Sequence, residues 1–126
     1  MIINLNKSEI AVLLLHMSIT RKNIRNGFKR NYKGQHKKVL NSFDEVKNSL
    51  EMTIDDIENM NNDKLIEFNF NVNEIKMIDS FLDWYVVRLE KTLKGAGRII
   101  DEDKKQIQVL KSIHKKAGKT LEIQLI

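Results

Sequence analysis

Cysteine and proline are absent from this 126-residue chain, and glycine occurs only five times. Without cysteine there is no disulfide framework, no thiolate nucleophile, no Cys-ligated zinc and no iron–sulfur cluster. Without proline, helix ends must be read from capping residues and glycine. Long apolar runs are also missing. The run containing Ala11 to Leu15 is bounded by Glu9 and His16, too short for a signal-peptide core or a membrane span. The expectation is a soluble, cytoplasmic protein. Its length predicts one domain, 1–126, large enough to bury a core without a metal or disulfide staple.

Charge of one sign is scarce locally, although the formal net charge is only +5. Residues 1–41 carry nine Lys/Arg against the single acid Glu9, 42–83 carry three against eleven acids, and 84–126 carry ten against five. Such blocks predict a dipolar surface or self-complementary packing rather than a uniformly basic coat. Seventeen Lys to five Arg, with thirteen Asn and sixteen Ile, is the composition of AT-rich coding, as in low-GC bacteria and their phages or other mobile elements.

What the chain does contain is an internal repeat. Asn4-Leu5-Asn6-Lys7-Ser8-Glu9-Ile10 recurs as Asn69-Phe70-Asn71-Val72-Asn73-Glu74-Ile75, an offset of 65. In both copies apolar residues alternate with Asn, the period of a half-buried strand. Asn6 and Asn71 then stand three residues before Glu9 and Glu74, which predicts a capping box and a strand passing directly into a helix. Further on, Val39-Leu40-Asn41-Ser42-Phe43 lines up with Val109-Leu110-Lys111-Ser112-Ile113 at an offset of 70.

Two pseudo-repeats follow, about 1–63 and 64–126, each strand, long helix, second helix. The first helix is expected from Lys7 to about Asn26, with 27–35 a frayed continuation or a loop. A short extra helix is expected after Thr53, through Ile54, Ile57 and Met60. Asp101 is expected to cap the last helix and Gly118 to close it. Alternation of Leu121, Ile123 and Leu125 predicts a third strand over 119–126. The fold class is therefore helix-dominated α+β, with about four main helices on one face of a small, about three-stranded sheet. Open sheet edges would be relieved by homodimerisation or by a partner's strand.

Candidate sites are few. Arg21 to Lys38 holds eight Lys/Arg and no acid. Arg21, Lys22, Arg25, Lys29, Arg30, Lys33, Lys37 and Lys38 are candidate contacts to phosphate or to an acidic partner, with Phe28 and Tyr32 interleaved for stacking on single-stranded bases. The competing expectation is a solvated face whose aromatics point into the core, balanced by the acidic 44–63 segment. A helix-turn-helix whose recognition helix starts at Ile19-Thr20 fails, because Leu14, Ser18 and Gly27 stand at three of its defining positions.

Trp84 is expected on the flank of its helix, as an interface anchor or a covered core residue; with Phe28 and Tyr32 it completes the candidate interface aromatics. Asp55-Asp56-Glu58 and Asp101-Glu102-Asp103 read as helix-start residues rather than cation ligands. His16, His36 and His114 are isolated, without metal-ligand spacing. No nucleophile motif or phosphate loop is present. The expectation is a protein that is not an enzyme and carries no cofactor or metal: a regulator, adaptor or inhibitor acting on a macromolecular partner, most readily a protein or a second copy of itself. The alternative is a nucleic-acid-binding accessory protein using the basic segment.

Overall fold

A computed structural model of the chain describes residues 1–97 and 100–124. The order is β1 (Ile2–Asn6), α1 (Lys7–Asn31), α2 (His36–Ile54), β2 (Leu65–Asn69), α3 (Val72–Gly95) and α4 (Asp101–Gln124). This is a helix-dominated α+β fold, strand-helix-helix twice, with the two strands paired antiparallel.

Both capping boxes form. Asn6 Oδ1 accepts from the Glu9 amide at 2.9 Å and Glu9 Oε1 accepts from the Asn6 amide at 2.9 Å. Asn71 and Glu74 repeat the pattern at 2.8 and 2.9 Å. One Asn thus ends a strand and satisfies the first orphan amides of a helix, so no loop intervenes.

The strand register carries the repeat into three dimensions. Ile3 pairs with Phe68, Ile2 with Asn69 and Asn4 with Glu67. Phe68 is the offset-65 equivalent of Ile3, so this pair lies on a pseudo-two-fold axis, and the pairs on either side are exchanged by it. The helices obey the same relation. Within units, α1 packs on α2 and α3 on α4; between units, α1 packs on α4 and α2 on α3.

The core lies between this ring of helices and one face of the sheet. Ile3, Leu5, Phe68 and Phe70 point inward, whereas Ile2 and Leu65 remain about half exposed on the outer face. The few aromatics are concentrated. Phe28, Phe43, Phe81, Trp84 and Tyr85 form a chain of ring contacts across α1, α2 and α3. Gly27 lies inside α1 and not at a helix end, and a Cβ at that position would stand 3.2 Å from Trp84 Cη2. Its absence lets the indole lie against α1. The turn comes later, where Gly34 takes φ 79°.

Four expectations fail. Residues 119–124 continue α4 instead of forming a strand, and 125–126 lie outside the described residues. Leu110, Ile113, Ala117 and Leu121 form a helical stripe on the core, and this stripe shares Leu121 with the alternating pattern. Gly118 therefore sits inside the helix. No helix follows Thr53, which belongs to α2 and donates its hydroxyl to the Ser49 carbonyl; residues 55–59 are turns that bring Ile57 into the core. Asp101 is the first helical residue rather than the cap: Lys104 N donates to the Ile100 carbonyl, and Asp103 reaches back to the Ile100 amide.

Candidate functional site

The basic segment occupies the second half of α1, the turn after it and the start of α2. A 25-residue α1 extends about 37 Å at 1.5 Å per residue, and its second half carries the cations. Lys22, Arg25 and Lys29, spaced i, i+3 and i+7, share the solvent face. Arg30 flanks them, Lys33 lies in the turn, and Lys37 and Lys38 lie in the first turn of α2. These seven are exposed and make no ion pair among the described residues. Arg21 differs, because its guanidinium grips Asp44 with two bonds of 2.6 and 3.0 Å. The first turn of α2 has no acidic residue, and Gln35 makes no side-chain cap bond. Its amides and two lysines thus place positive charge together at an end already positive by the helix dipole.

The aromatics divide. Phe28 has no exposed surface and packs on Phe43 and Tyr32, so it offers nothing to a partner or a base. Trp84 is half-buried against Phe81, Tyr85 and Gly27, and its Nε1 is enclosed without a hydrogen-bond partner. Tyr32 is half-buried on the wall of a cleft. Burial raises its hydroxyl pKa above the ordinary value, a bond with Ser80 opposes this, and the nearby Asp79 and Asp83 carboxylates add to it.

The two sheet edges are unequal. The Met1 ammonium donates to the Phe70 carbonyl and the Phe70 amide to the Met1 carbonyl, both at 2.9 Å, so 1 and 70 are a hydrogen-bonded pair. By antiparallel alternation, Ile3–Phe68 and Leu5–Ile66 are too. The backbone groups of Ile2, Asn4 and Asn6 face one edge, and those of Leu65, Glu67 and Asn69 the other. On the β1 edge, Lys116 Nζ donates to the Asn4 carbonyl at 2.8 Å, and the Asn6 amide is held by Glu9. On the β2 edge, the amides and carbonyls of Leu65, Glu67 and Asn69 have no partner among the described residues. Acidic side chains of the preceding turns, Asp55, Asp56, Glu58 and Asp63, are exposed on the chain that leads into β2.

Two buried polar clusters escaped the sequence reading. Glu9, only 2% exposed, accepts from Lys116 Nζ at 2.6 Å and Ser112 Oγ at 2.6 Å as well as from the Asn6 amide. His16 Nδ1 lies 2.7 Å from the Tyr85 hydroxyl, and Nε2 lies 2.8 Å from Gln106 Oε1. Since Gln106 Oε1 can only accept, Nε2 carries the proton and Nδ1 accepts from Tyr85. Burial lowers the His16 pKa from 6.5, the bond to Gln106 opposing it. Burial pushes Tyr85 up to about 12.

Between α2 and α3 opens a cleft of about 640 Å³ lined by Tyr32, Ser42, Glu45, Glu74 and Asp79 among others. A smaller one, about 180 Å³, lies between α1 and α3 beside Trp84 and Arg88. Asp55 and Asp56 follow α2 instead of starting a helix, whereas Asp101 to Asp103 occupy the first turn of α4 as expected. His114 Nε2 lies 3.2 Å from Asp79. Among the described residues no three His, Cys, Asp or Glu groups converge as metal ligands, and no helix is long and apolar enough to cross a membrane. Compared with known proteins, the chain matches no family model, no curated protein and no solved structure.

Proposed function

We infer that this protein is a non-enzymatic regulator, adaptor or inhibitor that binds a protein partner by taking an extended segment onto β2. The supporting observation is the inequality of the edges. On one, Lys116 holds the Asn4 carbonyl and Glu9 the Asn6 amide, while on the other the amides and carbonyls of three successive outward-facing residues, Leu65, Glu67 and Asn69, have no partner among the described residues. Main-chain bonds to such an edge supply affinity, and alternate side chains supply selectivity. Glu67 at the centre and the acidic turns before it favour a basic segment. In a pairing of β2 with a second β2 centred on this residue, two Glu67 side chains would face each other, which is unfavourable. Affinity purification from the source cell tests the reading with Glu67→Pro as the comparison, since this amide points outward and proline is tolerated on an edge. The wild type should retain a stoichiometric partner and Glu67→Pro should lose it. Equal retention by both, or none by either with self-association absent, would overturn it.

A second reading has its own support in the cations without an ion pair among the described residues, Lys22, Arg25, Lys29, Arg30, Lys33, Lys37 and Lys38, around the uncapped start of α2. These fit nucleic-acid phosphates. Binding to a duplex or a single strand should then weaken linearly with log salt, and Arg25→Ala with Lys29→Ala should lower the slope by roughly one per lost contact. No binding at low salt removes this reading.

A further inference from the structure

The pseudo-two-fold axis maps α4 packed on α1 onto α2 packed on α3, so each polar group at the first junction has a counterpart at the second. Glu9 corresponds to Glu74, Ser112 to Ser42, Asn4 to Asn69 and Lys116 to Val46. The first junction is filled: the Lys116 ammonium bridges the Glu9 carboxylate and the Asn4 carbonyl, and Ser112 donates to the other carboxylate oxygen. At the second, the Glu74 carboxylate has among the described residues only the Asn71 bond of its capping box. Val46 is turned wholly into the core, and Glu74 and Ser42, the counterparts of Glu9 and Ser112, line the cleft of about 640 Å³. The chain retains the acceptor half of the site and lacks the cation.

We propose that the cleft between α2 and α3 binds an alkylammonium group, held by Glu74 beside Ser42 as the Lys116 ammonium is held by Glu9 beside Ser112. The remaining walls suit that chemistry. Tyr32 lines the cleft, and an aromatic side chain can pack an aliphatic stem and its cationic head. Glu45 and Asp79 add carboxylates, Asp79 shared with His114. Lys38 and Lys76 also line the cleft, but both are exposed and neither bonds a carboxylate there. The wall charge therefore remains negative by one. The cation can come from a lysine side chain of a protein or from a free polyamine; the recognition chemistry is the same. This site is independent of strand addition on β2, since small amines alone test it.

The experiment is an NMR titration of isotope-labelled full-length protein with three probes: Nα-acetyl-lysine methylamide, its norleucine counterpart, and spermidine. Saturable shifts confined to Ser42, Asn73, Glu74 and their neighbours are expected with the two amines, with half-saturation on the order of 1 mM for so small a ligand. Norleucine should give none. Glu74→Gln keeps the capping box, because glutamine serves at that position, and should weaken amine binding at least tenfold. Glu45→Gln should weaken it less. Half-saturation at lower concentration by spermidine assigns a free polyamine, and the reverse a protein-borne lysine. The proposal is overturned if neither amine shifts these residues, if norleucine shifts them equally, or if folded Glu74→Gln and Glu45→Gln both bind as the wild type does.

Discussion

Lys116→Met keeps the aliphatic stem and removes the ammonium that ties α4 to both β1 and α1. Two charge-assisted bonds are lost, to Glu9 at 2.6 Å and to the Asn4 carbonyl at 2.8 Å. Each such bond is worth about 1.5 to 3 kcal/mol. The Glu9 side chain, 3% exposed, stays in place with its charge offset only by the Asn6 amide and the Ser112 hydroxyl. Lys116 itself is 33% exposed, so water replaces part of what is lost. The net cost should be about 3 kcal/mol, the lower end of what breaking a buried pair costs, or about 10 °C in Tm for a chain of this size. Urea denaturation at pH 7, followed by circular dichroism, should show an earlier midpoint at unchanged slope. Adding Glu9→Gln should return at least about 1 kcal/mol, because the amide keeps the cap and abolishes the unpaired charge. Glu74→Gln, at the counterpart position, should cost under about 0.5 kcal/mol. A Lys116→Met cost below about 1 kcal/mol, or additive losses in the double variant, would refute this account.

His16 is neutral in the fold with a lowered pKa, so the unfolded chain takes its proton first, near pH 6.5. Stability should be full above that pH and fall as the pH drops below it, and His16→Gln should flatten the decline in urea midpoints between pH 7.5 and 5. Tyr85 works in the opposite direction: raised to about 12 from 10.0, its contribution should fade as the pH climbs past 10, and Tyr85→Phe should not show that loss. Phe43, fully buried between Phe28 and Phe81, should cost about 4 kcal/mol as alanine by calorimetry. Gly34→Ala meets no neighbour within 4 Å, yet φ 79° should make it cost about 1 kcal/mol in urea midpoints, all of it conformational.

What could be read from the residues was local or periodic. The capping boxes need only a spacing of three, and the repeat needs only two windows of the same chain, so both were legible. Element ends were not. The residues after Thr53 have helical apolar spacing, but Ile57 reaches the core from a turn. At the C-terminus, Leu121 satisfies a strand period and a helix period together; Ala117, behind it in the stripe, settles it as helix. The polar clusters were invisible for a different reason. Glu9 meets Ser112 and Lys116 across more than 100 residues, and nothing in a Lys or a Ser announces a partner at that distance. Phe28 and Tyr32 interleave with cations in the chain, but helical spacing turns Phe28 inward and leaves Lys29 and Arg30 outside.

The exchange of elements between units has a thermodynamic meaning. Among the described residues each strand pairs with the strand of the other unit, and each helix covers one neighbour from its own unit and one from the other. Either half alone would leave a strand unpaired and a helical face bare, so the unit is half of an interlocked pair. Residues 55–64 join the halves and hold each at an effective concentration on the order of millimolar relative to its mate. Association that two separate chains would need concentration to achieve is thereby made a property of one chain. Identical halves must keep both junctions alike; once joined, α4 could seal its side with Lys116 while the opposite side stayed open at Glu74.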